Sequence, residues 1–328
     1  MTTVSDQLME YGGVPVGAGR LAKLFQKDNI FFVDGDHGQA GWSAKTPRKA
    51  VALPSQAVSL AAKEGIIYIR PKTSATNEDV YYEDNIEIPI AKPHIQLIGS
   101  GAGTIPGYRG AAQIRPLVDT TNLILIHSSG VCVENLHINN TGGGGSMAAL
   151  RCWRWPTYPG AVAPQIRHCR FISDVALSYA LTLESAQYCV VEDNIFLDCN
   201  IGIYMTATHG SPQGYTIRRN IFSGLVAKRH VDIAINMTDI NSHGHTIDSN
   251  LFIDGLPTKA GEFTAGFLFD TLAATSAATG IISNNFFSDT SAIASVDGFG
   301  KTGASGIIGE FWFFVGNYNE IGLIPRKD

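Results

Sequence analysis

The stretch Val190 to Cys199, VVEDNIFLDC, has the apolar density of a buried strand, yet an asparagine, Asn194, stands at its centre. The frame returns as TIRRNIF at Asn220, TIDSNLF at Asn250 and IISNNFF at Asn285, with VENLHI at Asn135 as a looser early copy. IRHCRF puts Cys169 at the asparagine position, and VGNYNEI at Asn317 supplies a last copy. Successive copies lie 25 to 35 residues apart, inside the range of about 20–45 residues typical of stacked repeats.

Between the copies run short β-branched and aromatic segments such as VVED, TIRR, HVDIAIN and GFLFD, bounded by Gly, Asn, Asp and Ser. These read as strands and turns. No repeat holds the continuous 3.6-residue apolar periodicity of a helical solenoid, so a parallel β-coil is expected, with equivalent side chains stacked about 4.8 Å apart. An asparagine suits a corner in such a stack, because its amide bonds to the copies above and below while its backbone tolerates the left-handed region. Asn135, Asn194, Asn220, Asn250 and Asn285 are the expected ladder, with the flanking Ile and Phe filling the bore.

Composition agrees with an all-β solenoid: 45% hydrophobic, 16% charged and 35 glycines in 328 residues. A net charge of −5 leaves no basic footprint for nucleic acid. The five cysteines, Cys132, Cys152, Cys169, Cys189 and Cys199, include no C-x-x-C pair and fall in or beside strand runs. They read as small buried thiols kept reduced. MTTVSDQLMEYGG has neither the basic start nor the apolar core of a signal peptide, and no apolar run suits a membrane span, so synthesis in the cytoplasm is expected.

Residues 1–28 are expected to be an extended arm, since YGGVPVGAG is too rich in Gly and Pro for regular structure. The segment FFVDGDHGQAGW, followed by PSQAVSLAAKEGIIYIRP, resembles the opening of the pectate-lyase-like right-handed parallel β-helix proteins. The resemblance implies strands at Phe31–Val33 and Ile66–Ile69, and a helix over about Ser55 to Lys63 that covers the open end of the coil. Residues 29–93 then form the N-terminal cap and first rungs. Residues 94–328 form the β-helix, with HIQLIGSGAGT, His94 to Thr104, as its first full rung. Two inserts interrupt it, Gly142 to Pro164 and Lys228 to His245.

Alternation along the strand after each corner turns His230 and Asp232 outward, together with Glu184, Tyr204 and Asp270 on other turns. Asp232 and Asp270, placed on adjacent turns, would stand at the separation of paired carboxylates in retaining glycosidases, with His230 available as a base for lyase chemistry. The bland alternative is a charged face that keeps the solenoid soluble. The chain lacks the N-T-D and adjacent D-D elements of β-helix pectinases, so pectin hydrolysis is not the expected activity. His243 and His245 could share a metal, but no third ligand is identifiable, so no metal or cofactor is assigned. Trp153, Trp155 and Tyr158 admit two readings, a sugar-stacking surface and a protein interface.

A β-helix without a signal peptide and with a Gly/Pro-rich arm resembles tailed-phage virion proteins. The resemblance implies a homotrimeric head-surface or attachment protein in the virion, docked to other virion proteins through residues 1–28. The alternatives are a polysaccharide lyase or glycoside hydrolase with its site on the lateral face, and a non-catalytic module binding a surface glycan.

Overall fold

The computed structural model describes residues 29–73, 80–100, 111–118, 121–140, 148–153, 161–173, 178–206, 212–223, 233–238, 243–253, 265–270, 279–288, 299–302, 312–319 and 322–323. The arm expected over residues 1–28 lies outside them. The chain winds as a parallel β-helix whose turns visit three sheets in succession. A typical turn takes Gln165–Arg167 in the first sheet, Arg170–Ile172 in the second and Tyr179–Glu184 in the third, then returns to the first at Val190–Glu192. The first and second sheets hold ten strands each and the third eight. Among the described residues all pairings between turns are parallel, and the one antiparallel pair, Tyr318–Asn319 with Gly322–Leu323, lies at the end of the second sheet.

The corner between the first two sheets takes two residues, and the asparagine is the second of them. Asn220 Oδ1 accepts from both the backbone N–H (3.1 Å) and the amide (3.0 Å) of Asn194, while its own amide donates to Val191 O at 2.9 Å and Asn250 Oδ1 at 3.0 Å. The pattern continues through Asn250 and Asn285 to Asn317, and Asn194 Oδ1 accepts from the Cys169 N–H. All five asparagines are buried. The left-handed backbone belongs instead to the residue before each: Asp193, Arg219, Ser249, Asn284 and Gly316. Asn135 is therefore off the ladder. It occupies the left-handed position itself, with φ +60° and its amide donated to Gly99 O, and Leu136 holds the ladder position of that turn.

Of the two residues after each asparagine, only the second faces the bore. Phe171, Phe196, Phe222, Phe252 and Phe287 form a column with centroid spacings of 4.5–5.0 Å and near-parallel rings. Ile166, Val191, Ile217, Ile247 and Ile282 stack beside them from the first sheet. The five cysteines form no disulfide and are buried, and burial pushes the Cys169 thiol up to about 12. They are packing groups, as expected.

The capping helix runs Pro54–Leu60, shorter than the predicted span. Ala61 already has extended backbone, so Leu60 is exposed while Ala57, Val58 and Ala61 turn inward. Asp84 accepts from the Ser55 N–H at 2.7 Å, and the Lys92 ammonium donates to the carbonyls of Val58 and Ser59, so both helix ends are tied to later turns. The first strand pairs Phe31 with Ile67 and Val33 with Ile69, as the sequence predicts.

Outside the asparagine corner, charges alternate along the axis. Arg219 meets Asp193 in a two-pronged contact at 2.8 and 2.7 Å, and Glu192 binds Arg218 and Arg219. Hydrogen bonding to Arg219 holds the Asp193 carboxyl below its ordinary range against an opposing push from burial. A carboxylate depressed in the folded state stabilises above its unfolded pKa, near 3.9, and loses that contribution as pH falls through the folded value. The denaturation midpoint should therefore hold steady from neutrality to about pH 5 and fall below about pH 4. Arg219→Gln should remove part of that acid-dependent fall, a small effect for so exposed a pair; an identical pH profile in the variant would dismiss the assignment.

Candidate functional site on the outer face of the third sheet

The third sheet keeps Leu150, Cys152, Leu181, Leu183, Ile203, Met205, Ile235 and Met237 inside. Its outward positions form two rows in register: Arg151, Thr182, Tyr204 and Asn236, and beside it Trp153, Glu184 and Thr206. The strand ALRCW explains the first pair, because Leu150 and Cys152 point in and leave Arg151 and Trp153 pointing out.

These side chains converge. Arg151 lies over the Trp153 ring at 4.7 Å from its centroid and donates through Nε to Glu184 Oε2 at 2.8 Å, with a second contact from its terminal nitrogen. The His127 ring packs on Trp153 at 5.1 Å, and its Nε2 lies 3.6 Å from Glu87 Oε1. Burial lowers the His127 pKa, Glu87 opposes this, and the Arg151 charge adds to the lowering. One turn further, the Tyr179 and Tyr204 rings stack at 4.5 Å, and Thr238 Oγ1 lies 3.2 Å from the Tyr204 hydroxyl. The result is an oriented carboxylate beside two aromatic platforms. Such rings stack on sugar faces, and a carboxylate held by a guanidinium can accept a proton or a hydroxyl hydrogen bond.

Glu184 and Tyr204 thus lie on one face, as the alternation predicts, but Glu184 is buried rather than an exposed surface charge, and Trp153, expected within an insert, joins them from a strand of the same sheet. Arg151, His127 and Tyr179 join them without having been singled out; the alternation in ALRCW was the signal for Arg151. Of the expected pair Asp232 and Asp270, Asp232 lies outside the described residues, and Asp270 is placed by its strand alone. Ile233 pairs with Ala265 and Met237 with Phe269, so Asp270 follows the last pair, at the end of the strand opposite to Ile233. Asp232, His230, Trp155 and Tyr158 lie outside the described residues.

Two further polar groups are accounted for by the fold. The His245 ring packs on Tyr215 at 4.8 Å and takes the Tyr215 N–H on Nδ1, and burial brings its pKa down to about 3. It is a core side chain. Asp34, Asp36 and His37 cluster within metal-ligand reach, but Asp34 already accepts from the Asp36 and His37 N–H groups and from Arg70. Among the described residues no helix is long and apolar enough to cross a membrane.

No family model and no curated protein matches the chain. Among solved structures it is similar to pectin methylesterase from carrot, with a TM-score of 0.55 at 14% identity, covering 91% of this chain and 85% of that one. Pectin methylesterase from Aspergillus niger gives 0.50 at 12% identity over 92% and 88%. DFA-IIIase from Arthrobacter chlorophenolicus A6, in complex with GF2, gives 0.50 at 12% identity over 89% and 76%. Likeness at this identity defines the class by fold: a right-handed parallel β-helix with three parallel sheets and one short helix.

Proposed function

We propose that the protein is carbohydrate-active, binding an oligo- or polysaccharide on the outer face of the third sheet and cleaving it as a glycoside hydrolase or lyase. The observation that carries this reading is the Trp153–Arg151–Glu184 cluster beside the stacked Tyr179 and Tyr204. Trp153 and the tyrosines supply the stacking surface, and Glu184 is the acid–base or nucleophilic carboxylate. The names of the structural neighbours, pectin methylesterase and DFA-IIIase, are consistent with carbohydrate chemistry on this type of scaffold. The virion reading rests on the β-helix resemblance and on the arm, residues 1–28, which lie outside the described residues.

The test is a panel of polysaccharides assayed for binding and for reducing or unsaturated ends. Trp153→Ala should weaken binding by about tenfold, the loss of one stacking contact. Glu184→Gln should lower turnover by about 100-fold or more with binding retained, provided its melting temperature shows the fold intact. Binding by the wild type without product would select the non-catalytic module. Binding indifferent to Trp153→Ala would move the site off this face.

A further inference from the structure

The outer side of the second sheet carries a separate cluster. Gln113, His137 and Arg170 stand in register on three consecutive turns, and all point away from a bore lined by Ile114, Ile138 and Phe171. Arg115, two residues beyond Gln113, holds its guanidinium 4.1 Å from the centre of the Tyr81 ring. His137 therefore sits beside two cations. Burial first, then the charges of Arg170 and Arg115, bring its pKa down to about 3, so the ring is neutral. Arg170 is itself disfavoured by burial, with Asp198 as a partial offset. Arg170 Nε and His137 Nε2 are both shielded from solvent and meet no hydrogen-bond partner among the described residues.

The guanidinium and the imidazole stand on neighbouring turns, whose strands lie about 4.8 Å apart, and together offer donors to the oxygens of one planar or tetrahedral oxyanion. Such an ion accepts several hydrogen bonds at once and faces two guanidiniums, of which Arg170 has Asp198 as a partial offset and Arg115 has Glu83 in register beside it. We propose that Arg115, His137 and Arg170, with Gln113 at the edge, form a binding site for an oxyanion such as the carboxylate of an acidic sugar or a sulfate group. The site lies on a different sheet from the Trp153–Glu184 face and does not depend on that face being catalytic.

The experiment titrates the full chain with sodium sulfate and with sodium chloride at matched ionic strength, following the melting temperature and the His137 ring signals by NMR. Sulfate, and not chloride, should raise the melting temperature and move the His137 signals. Arg170→Gln should weaken sulfate binding by about tenfold or more, and Arg170→Lys, which keeps the charge but loses the fork, should fall between. Competition by galacturonate but not galactose assigns the site to a sugar carboxylate; sulfate binding without such competition assigns it to a sulfate group. Equal responses to sulfate and chloride, or a sulfate response unchanged in Arg170→Gln, would overturn the proposal. If Arg170→Gln does not fold, the sulfate-against-chloride comparison at His137 in the wild type decides it.

Discussion

Phe222→Ala is expected to lower stability by about 3–5 kcal/mol, the range for truncating a fully buried aromatic ring. Phe222 stacks between Phe196 at 4.8 Å and Phe252 at 5.0 Å, so the substitution leaves a gap in the middle of a continuous column. The bore is a fixed channel whose walls are hydrogen-bonded sheets, and it cannot collapse around the void as a looser core would. Gly202 adds a local reason. A Cβ there would lie 2.9 Å from the Phe222 ring, so the opposing wall is already at its closest approach and has no side chain to swing inward. Phe222→Leu, which restores most of the volume, should recover a large part of the loss. Chemical denaturation of the three proteins measures this, and a Phe222→Ala midpoint close to wild type would mean that the column is not the core of the coil.

Asn220→Leu is expected to cost about 2–4 kcal/mol although leucine is nearly isosteric with asparagine and more apolar. The change strips hydrogen bonds from the Asn194 N–H and amide and from the Val191 carbonyl, and removes one donor from Asn250 Oδ1, all within a buried corner. A buried polar group left without a partner costs more than the average bond contributes. Lys63→Ala, at an exposed position after the capping helix, should shift stability by no more than about 0.5 kcal/mol. Equal shifts for the two would remove the ladder from the list of what holds the coil together.

The ladder and the aromatic column were legible in the sequence because stacking is a local rule repeated. When each turn lies on the last, equivalent positions share one environment, and an asparagine or phenylalanine that suits one turn suits the next. The rule misled at Asn135, where the same residue type serves the left-handed position one place earlier. Both positions favour asparagine, one for its backbone and one for its amide, so residue type alone does not separate them.

The candidate site was legible only in part. Alternation within LTLE and IGIY put Glu184 and Tyr204 on one outward face, because alternation is a property of a single strand. It did not show that Arg151 reaches across to Glu184, that His127 and Tyr179 complete the aromatic surface, or that the row Gln113, His137 and Arg170 gathers on another sheet. Those groups come from turns separated by connections of unequal length.

The sequence by itself determined the parallel coil, its asparagine corner and the phenylalanine of its bore, since each follows from a short repeat, but it put the Ile beside each asparagine in the bore as well, where the structure turns that position outward. The tertiary structure alone decided the register between turns, and with it that Asp270 stands at the far end of its strand from Ile233 and that Glu184 is a buried partner of Arg151. Register is fixed by how backbone hydrogen bonds of successive turns align once the corners are packed, and a shift of one residue exchanges inside for outside without altering a letter of the sequence.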